Sequence, residues 1–564
     1  MIVCDFIDKN VKDFIEKDKS KRIILTFFKE PFDDFKGNEV LFIDDILDDN
    51  DYKRIDIFVK NILDMLSNSL EIGGYKLFCY IIPSLRSKLN KLYKYVYTIH
   101  KISRTKNIYS FACFTSESGL VEWLKIDYEI FSLSSYEDKP RLIMKIRKKI
   151  IDSKFRYIIE SFVKYSFFRD NRKNTFNILG LAGAPLINSQ LPNELRKDFK
   201  LLLIDDHFSL NRDFLKRKIK FNLLKLQNQK KFRKTIQYIE KQYIKIVNRI
   251  AIRMSIKTKQ AEIILCYCKD NIKDLLLILC MLEENIKNID LLIVHSSIHI
   301  YMGLAVDFFK KHKVPSIEIV HGLSCGFEYN ENISKVAVNG KRDKLFYVNH
   351  GVDSQKVVIT GCPRYDKFFY IREEQKKYNH LLLILDWIFF SSSSRTSMDI
   401  FKQVMCMLRL IEQLQKTKLI IKLHPHQTES ELMYVRSLVF KNNYYKEYVE
   451  VVKDSDTNEL LKTASIVFTH SSSVGLEALL MKKPVIILDI LSGFKPVYKG
   501  YKGFVIAEDF DQLLVLTKKV LKDIDEYLRS NSKNIEKTIK FFYDDSKGES
   551  YKRVADLARD CINK

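Results

Sequence analysis

The chain has 564 residues and a formal net charge of +24, because it contains 95 lysine and arginine residues but only 71 acidic residues. Hydrophobic residues make up 46% of the sequence and aromatic residues 12%, so the chain can fill sizeable cores, and its length favours three or four domains. Glycine and proline are few, and no stretch is repeated or of low complexity, which excludes a solenoid and a disordered protein.

The cysteines and the apolar runs of the sequence indicate the cellular compartment of the protein. The ten cysteines are scattered, and the one close pair, Cys266 and Cys268, has the spacing of neither a zinc knuckle nor a redox pair. We therefore expect reduced, buried thiols in a cytoplasmic protein. The N-terminus turns acidic before a signal segment can form, and no apolar run reaches the ~20 residues that span a bilayer. The sequence thus predicts a soluble or peripheral protein.

The chain begins with alternating strand-like and helical segments. Runs rich in β-branched and aromatic residues, each predicting a buried strand, lie at 22–28, 39–45 and 75–82. A helical pattern fills 53–70, so we expect an α/β unit that ends near residue 135. From 138 to 172 the pattern is helical, basic and aromatic, whereas 177–185 has the composition of a loop.

A strongly basic segment follows a strand-like run that ends on Asp205 and Asp206. Between Asn211 and Gln260 there are sixteen lysines and arginines but only two acidic residues, and Phe, Leu and Ile recur at helical spacing. Such a basic amphipathic helix is typical of contact with an anionic membrane or another polyanion, at about 1 kcal/mol per near-surface cation. A plain solvated face is the alternative, and no signature of a nucleic-acid-binding module supports a nucleic acid partner.

Two features near the middle of the chain carry candidate polar residues. A strand at 314–320 ends on His321 and Gly322, where the glycine permits close approach of a ligand. A single histidine is more often structural than catalytic. Further on, a proline turn contains Arg364 and Asp366, and we predict an ion pair between these two side chains that fixes a connection between domains.

Two strand-loop-helix units in succession organise the C-terminal half. Their strands are predicted at 419–423 and 464–469, and a third strand at 483–489 completes a parallel unit. The polar residues at their ends are His424, Pro425 and His426 after the first strand, and His470, Ser471, Ser472 and Ser473 after the second. Ligands bind outside the carboxyl ends of parallel strands, and a hydroxyl-rich turn that starts a helix offers N–H groups to phosphate. The segment predicts a phosphate or diphosphate pocket, with helix capping by the serines as the alternative.

These residues resemble the nucleotide-binding half of a GT-B glycosyltransferase. The similarity is carried by Lys422-Leu423-His424-Pro425, by the run from Thr469 to Leu479 and by Lys483-Pro484-Val485-Ile486. The enzymes it is similar to build bacterial surface polysaccharides with cytidine-nucleotide donors: sialyltransferases and polysialyltransferases, capsule Kdo transferases, and CDP-glycerol glycerophosphotransferases of teichoic acid synthesis. The resemblance implies an α/β fold of two Rossmann-like lobes facing a cleft, here with a basic helical insertion in the N-terminal half.

The resemblance also implies donor-binding residues. The His-Pro and Ser-Ser motifs of these families contact the phosphate and cytidine of the donor, and an acidic residue one turn into the helix holds a sugar hydroxyl. The residues assigned to donor binding are accordingly His424, Pro425, His426, Ser471, Ser472, Ser473, Glu477 and Lys422. Arg395 follows a serine-rich loop after the strand at 381–385, where it pairs with a donor phosphate or merely follows a helix cap.

Catalytic candidates lie in the N-terminal half. The strand-end His321 faces the cleft in the similar families and is the predicted catalytic or acceptor-side residue, with Asp205 and Asp206 as substitutes. The acidic motif of the sialyltransferases is not evident, which weakens a simple sialyltransferase assignment. Imidazoles and helix N-termini stabilise a departing phosphate without a metal, so we expect no metal and no cofactor. Asp454 and Asp456 imitate a metal motif but are predicted to cap a helix.

The sequence therefore predicts a cytoplasmic or peripheral glycosyltransferase of capsule, lipopolysaccharide or teichoic-type polymers. It would transfer a sugar from CMP-Kdo or CMP-sialic acid to a lipid-linked glycan at an anionic membrane. The alternatives are a CDP-glycerol glycerophosphotransferase, an enzyme like the UDP-sugar 2-epimerases, and a basic scaffold that binds a membrane or polyanion. The predicted boundaries are an N-terminal lobe at 1–340 with its insertion at 138–260, a hinge at 341–380, a donor lobe at 381–545 and a final helix at 546–564.

Overall fold

A computed structural model describes the chain in segments. The described residues are 1–4, 11, 23–26, 34–35, 38–106, 108, 110–114, 118–132, 177–182, 189–205, 230–285, 289–320, 322–323, 329–370, 379–386, 396–425, 427–440, 442–491, 495–543 and 548–563. Three six-stranded sheets follow one another along these residues. Their strands pair in parallel, apart from one antiparallel edge pair in the first sheet.

The first sheet forms the α/β unit that was expected to end near residue 135. In chain order the strands are β1 (Ile2–Cys4), β2 (Ile23–Thr26), β3 (Asp34–Phe35), β4 (Asn38–Phe42), β5 (Glu71–Ile72), β6 (Tyr75–Lys76), β7 (Ser110–Phe114) and β8 (Glu129–Ser132). Strands β5 and β6 pair as a hairpin, and the others form a sheet of order β3-β4-β2-β1-β7-β8. The helices are α1 (Ile43–Ile46), α2 (Asp49–Ser67), α3 (Leu77–Lys106) and α4 (Ser118–Leu124).

The strand predicted at 75–82 is wrong. Only Tyr75 and Lys76 are extended, and Leu77 begins the 30-residue helix α3. The buried residues of this helix recur every three or four positions, so one apolar stripe faces the core. They include Leu77, Phe78, Ile81, Leu85, Leu89 and Leu92.

The second sheet follows, with strands β9 (Asn177–Ala182), β10 (Lys200–Asp205), β11 (Leu291–Val294), β12 (Ser316–Ile319), β13 (Lys335–Val338) and β14 (Val357–Ile359). Their order is β10-β9-β11-β12-β13-β14. The helices are α5 (Leu191–Leu195), α6 (Lys230–Met254), α7 (Thr258–Asn285), α8 (Ile300–Lys311) and α9 (Lys341–Asn349). The loop predicted at 177–185 is wrong over its first six residues, since β9 is an interior strand paired on both sides.

One continuous core joins the first two sheets. Helices α2, α3, α6, α7 and α8 pack together, and their apolar residues reach strands of both sheets, including Val3, Leu25, Val294 and Val338. The described part of the predicted insertion at 138–260 is not purely helical. It contains strands β9 and β10 of the second sheet and helix α5, followed by α6 and the first residues of α7. Strand β14 pairs with β13, so this sheet extends past the boundary predicted at residue 340 and ends at residue 359.

The third sheet spans the region predicted to be the donor lobe, and this region is called the donor lobe below. Its strands are β15 (His380–Ile384), β16 (Leu419–Lys422), β17 (Val449–Val452), β18 (Ala464–Thr469), β19 (Val485–Leu488) and β20 (Val505–Ala507), in the order β17-β16-β15-β18-β19-β20. Its helices are α10 (Lys367–Tyr370), α11 (Thr396–Leu414), α12 (Glu429–Phe440), α13 (Asn443–Tyr448), α14 (Thr457–Thr463), α15 (Val474–Leu480), α16 (Phe510–Lys522), α17 (Ile524–Ser530) and α18 (Ser532–Phe542). Parallel sheets flanked by helices confirm the predicted α/β fold class.

The last helix, α19 (Ser550–Ile562), leaves the donor lobe and packs on the second sheet. Its buried residues Val554, Ala555 and Ala558 share a core with Ile317 and Ile319 of β12. The helix that follows the third sheet in sequence thus completes the second one.

The described cysteines form no disulfide, but their predicted burial is only partly correct. Cys79 and Cys266 are exposed, because each lies on an outer face of its helix, α3 or α7.

Candidate functional site at the carboxyl edge of the third sheet

Three neighbouring strands of the third sheet bring the predicted donor residues together. Strand β15 lies between β16 and β18, so Asp386 follows the central strand while His424 and Ser471 follow the strands on either side. With about 4.8 Å per inter-strand step, the two predicted loops stand roughly 10 Å apart. The sheet therefore adds Asp386 to the middle of the site, where the sequence marked only a strand end.

Asp386 fixes the turn that carries the serines. Its buried carboxylate accepts hydrogen bonds from the Thr469 hydroxyl at 3.0 Å and from the Ser471 backbone N–H at 2.6 Å. The Nδ1 atom of the buried His470 lies 3.5 Å from Asp386 Oδ2 and 2.8 Å from Ser471 Oγ. Because one ring nitrogen faces both groups, this arrangement is no Asp-His-Ser relay and acts instead to hold the loop.

The serine turn is largely saturated by its own hydrogen bonds. The Ser472 amide donates to the Thr469 hydroxyl, the Val474 amide donates to Ser472 Oγ, and the hydroxyl of buried Tyr498 donates to the Ser472 carbonyl at 2.6 Å. Among the backbone amides of residues 471–477, the Ser473 amide is the one that has no hydrogen-bond acceptor within the described part of the chain.

The capping interpretation of the serines holds only in part. Ser473 occupies the N-cap of α15, but its side chain makes no capping bond. The turn therefore presents a single backbone amide and the half-exposed hydroxyls of Ser472 and Ser473, fewer amide donors than the sequence pattern suggested.

Glu477 lies one turn into α15 and is paired with a residue from outside the predicted site. Its carboxylate is almost fully buried, and Oε1 lies 2.5 Å from Nη2 of Arg364. Coulombic attraction to Glu477 raises the pKa of Arg364, so the guanidinium stays charged. The predicted ion pair between Arg364 and Asp366 is therefore wrong.

Asp366 instead joins the donor lobe to the last helix. Its buried carboxylate accepts from the Tyr543 hydroxyl at 2.8 Å, from the Ser550 hydroxyl at 2.7 Å, and from the amides of Ser550 and Tyr551 at 3.1 Å each. Because these amides begin α19, Asp366 caps that helix. Arg364 and Asp366 thus serve two different elements from one short turn.

The His-Pro loop is also internally braced. The Lys422 ammonium is buried and donates to the carbonyls of Leu423 and Lys453, and burial lowers the pKa of Lys422. The His424 amide donates to Oε1 of the buried Gln427 at 2.8 Å. Lys422 therefore stabilises the loop from its buried side, whereas His424 and Pro425 lie at its partly exposed tip.

Several predicted site residues fall outside the described part of the chain. They are His321, Asp206, Arg395 and His426, together with the side chain of Asp205. The backbone of Asp205 ends β10, the edge strand, which is separated from β12 by β9 and β11. Three inter-strand steps place the ends of β10 and β12 roughly 14 Å apart.

The helix-cap prediction for Asp456 is confirmed. Its side chain accepts from the Asn458 amide at 2.8 Å at the start of α14. Among the described residues, no group of three His, Cys, Asp or Glu side chains is placed to hold a metal ion. Across the same ranges, no helix combines the length and apolarity needed to cross a bilayer.

Similarity to known proteins covers the region that contains this site. Residues 359–499 match the profile of a family described as "Capsule polysaccharide biosynthesis protein". A teichoic acid poly(ribitol-phosphate) polymerase from Bacillus spizizenii is 26% identical over 274 residues, which cover 45% of this chain and 41% of that protein. The predicted resemblance to surface-polysaccharide transferases is confirmed. The match spans less than half the length of this curated relative.

Solved structures are similar to the chain at low sequence identity. A UDP-GlcNAc 2-epimerase from Neisseria meningitidis, bound to UDP-GlcNAc, is 13% identical with a TM-score of 0.41 and covers 69% of this chain and 100% of its own. The wall teichoic acid polymerase TagF, soaked with CDPG, is 12% identical with a TM-score of 0.38 and covers 76% and 99%. At these sequence identities and TM-scores, the similarity to the two solved structures identifies no substrate for this protein.

Proposed function

We propose that this protein is a transferase of bacterial surface-polymer synthesis that uses a cytidine-nucleotide donor. The observation that carries the proposal is the sequence similarity to a poly(ribitol-phosphate) polymerase. It favours a CDP-linked polyol phosphate as the donor. A CMP-linked Kdo or sialic acid is the second candidate, because His424-Pro425 and Ser472-Ser473 resemble the motifs of enzymes that use such sugars.

Both donors expel CMP. With a CDP-linked polyol phosphate, an acceptor hydroxyl attacks the phosphorus that carries the polyol, a P–O bond forms, and the bond from that phosphorus to the CMP oxygen breaks. With a CMP-sugar, the hydroxyl attacks the anomeric carbon and the C–O bond to CMP breaks. In either case the hydroxyl proton passes to a base, and negative charge develops on the departing CMP phosphate.

The donor edge of the third sheet supplies groups of the right kind for this phosphate. The His424 imidazole, the hydroxyls of Ser472 and Ser473, and the Ser473 amide are donors, and preformed donors stabilise developing charge without reorganisation. We assign Arg395 and His426 to the same phosphate, and the proposal requires no metal. His321 is the proposed base, and Asp205 and Asp206 remain substitutes for it.

The test is a thermal-shift titration with CMP, CDP, UMP, UDP and GDP, followed by a CMP-release assay. A ligand at 100 times its dissociation constant should stabilise the protein by about 2.7 kcal/mol. We expect cytidine nucleotides to raise the melting temperature of the wild type but not that of His424→Ala. Without ligand, the variant should melt at the same temperature as the wild type. His312→Ala, on the exposed end of α8, is the control and should respond like the wild type.

Each other result argues against part of the proposal. A response to UDP instead of CDP would replace the donor and favour an epimerase-like enzyme. The absence of any nucleotide response would overturn the transferase assignment. CMP release with CDP-glycerol or CDP-ribitol, but not with CMP-Kdo or CMP-sialic acid, would decide between the two donor classes.

We also propose that α6 places the enzyme on the cytoplasmic face of an anionic membrane, where a lipid-linked acceptor lies. Tyr238, Ile244 and Ile252 on this helix are 48%, 64% and 79% exposed, and they are three of the eight exposed large apolar side chains among the described residues. Exposed cations accompany them along the same side of the helix, namely Lys234, Lys241, Lys245, Arg249 and Arg253. Exposed apolar residues among cations are the pattern that binds anionic lipid.

Vesicle sedimentation tests this surface. We expect binding to vesicles rich in phosphatidylglycerol but not to phosphatidylcholine alone. Lys241→Glu with Lys245→Glu should weaken it at least about 10-fold, since each near-surface cation contributes about 1 kcal/mol. The same charge reversal at Lys518 and Lys519 on α16 is the control. Equal binding of both variants, or tighter binding to RNA than to vesicles, would overturn the membrane assignment.

A further inference from the structure

The Arg364–Glu477 ion pair connects the turn between the sheets to the donor helix. The two residues are 113 positions apart, and their charged atoms are 2.5 Å apart. The Glu477 side chain is only 3% exposed, whereas Arg364 leaves 25% of its side chain open to solvent. The pair thus has a buried anionic end and a partly accessible cationic end.

The position of the pair relates it to the donor. Glu477 lies in α15, four residues after Ser473 and one turn from the serine turn. Arg364 reaches α15 from the turn whose next residues, Tyr365 and Asp366, pack against Tyr543 and cap α19. A charged guanidinium is therefore held beside the first turn of the helix that begins at the proposed phosphate site.

We propose that a bound donor exchanges the partners of this pair, so that a donor phosphate takes the Arg364 guanidinium and ribose hydroxyls take its place at Glu477. The inference rests on the proposed nucleotide-donor function. A guanidinium binds carboxylate and phosphate with the same planar pair of N–H donors, so the exchange suits its chemistry. Removing one partner from a buried ion pair leaves an uncompensated charge, so Glu477 releases Arg364 only when other donors replace it.

The exchange makes the two halves of the nucleotide bind cooperatively. Pyrophosphate alone must break the ion pair and leave Glu477 without a donor. Cytidine alone must approach a carboxylate that Arg364 already occupies. CDP supplies both replacements at once, so its affinity exceeds what the separate affinities of cytidine and pyrophosphate imply.

Calorimetric titration of three ligands, CDP, cytidine and pyrophosphate, tests the exchange. Glu477→Gln should weaken cytidine and CDP binding and at the same time strengthen pyrophosphate binding by about 10-fold, because a neutral amide no longer holds Arg364. Arg364→Gln should weaken CDP binding by at least about 10-fold and strengthen cytidine binding, because the guanidinium no longer occupies Glu477. Arg364→Lys keeps the charge and controls for folding. Glu526→Gln, which breaks the exposed pair with Arg529, is the control for loss of an ion pair elsewhere.

The gain in pyrophosphate affinity is the result that a merely structural pair does not produce. If Glu477→Gln lowers pyrophosphate and cytidine binding together, or leaves pyrophosphate binding unchanged, the exchange is overturned while the donor assignment stands. If the wild type binds neither CMP nor CDP, the proposed function fails and the exchange with it. The melting temperature of each variant, measured without ligand, separates unfolding from loss of binding.

Discussion

At the residue scale, Asp386 determines the shape of the candidate donor site. Its two oxygens accept from the Thr469 hydroxyl and the Ser471 amide. Asp386→Asn offers one oxygen and one amide group, so one of these donors faces another donor. We expect a loss of about 1–3 kcal/mol in the free energy of unfolding, measured by urea denaturation, and weaker CDP binding. An unchanged urea midpoint would show that the other hydrogen bonds of the turn hold it without the Asp386 carboxylate.

Lys483 predicts a pH dependence of stability. Burial lowers the pKa of Lys483 to about 8, and its ammonium donates to the Lys462 carbonyl at 2.7 Å. Between pH 8 and the ordinary lysine pKa, the unfolded chain binds a proton that the folded chain does not, so stability rises with pH in this window.

The variant Lys483→Met removes this titration. The wild type should gain up to about 3 kcal/mol relative to the variant between pH 7 and pH 10.5, because each pKa unit is worth 1.36 kcal/mol. Parallel urea melts across this range provide the measurement. If the difference in unfolding free energy between wild type and variant stays constant across this pH range, Lys483 keeps its ordinary pKa in the folded protein.

The sequence pointed to those residues of the candidate site that lie in short motifs and missed those that folding brings next to them. His424 and the serines stand beside strand ends, so local pattern and resemblance pointed to them. Asp386 and Arg364 reach the serine turn and Glu477 across 85 and 113 positions. No local spacing encodes such contacts, and the near neighbour Asp366 was the natural but mistaken partner for Arg364.

At the scale of elements, the packing of α15 against the sheet depends on Gly475. A Cβ atom at this position would lie 3.1 Å from the Tyr498 ring and 3.2 Å from Thr469 Cγ2. Both neighbours are buried and hydrogen-bonded, so they have little room to move. Gly475→Ala should cost about 1–3 kcal/mol in stability, measured by thermal unfolding, and should weaken nucleotide binding. A variant that is more stable than the wild type would show that the helix can shift outward.

Most elements could be predicted from hydrophobic patterns, and the two failures have physical reasons. The first turns of α3 contain a run of apolar residues that resembles a buried strand, and Pro83 interrupts the helical reading of the sequence. Strand β9 contains Gly180 and precedes a Gly-Ala-Pro sequence, which is typical of a loop. Its pairing with β10 and β11 overrides this weak local preference.

At the scale of the whole molecule, Asp366 couples the donor lobe to the second sheet. Asp366→Ala leaves the Ser550 and Tyr551 amides without their acceptor, whereas the Tyr543 hydroxyl keeps the Cys362 carbonyl at 3.1 Å. We expect a loss of at least about 2 kcal/mol in stability. Hydrogen exchange should show faster opening of α19, and Asp560→Ala on its exposed side is the control. Unchanged exchange would show that the other contacts of α19 hold it in place without Asp366.

The alternation of strands and helices predicted the fold class. It could not predict that the first two sheets share one core, because those contacts join α3 to α7 and α8 across long stretches of sequence. Nor could it predict the destination of α19. An amphipathic helix shows that it has an apolar face, but the sequence does not say which sheet that face will cover.

The return of α19 has a consequence for the order of synthesis. The face of β12 that carries Ile317 and Ile319 is closed by a helix made roughly 190 residues after β14. At about 5–20 residues per second, a ribosome needs on the order of 10–40 s to make that intervening chain. Part of one apolar face of the second sheet therefore stays uncovered while the third sheet is synthesised and folds. A chaperone that shields exposed apolar surface during this interval should raise the yield of soluble protein.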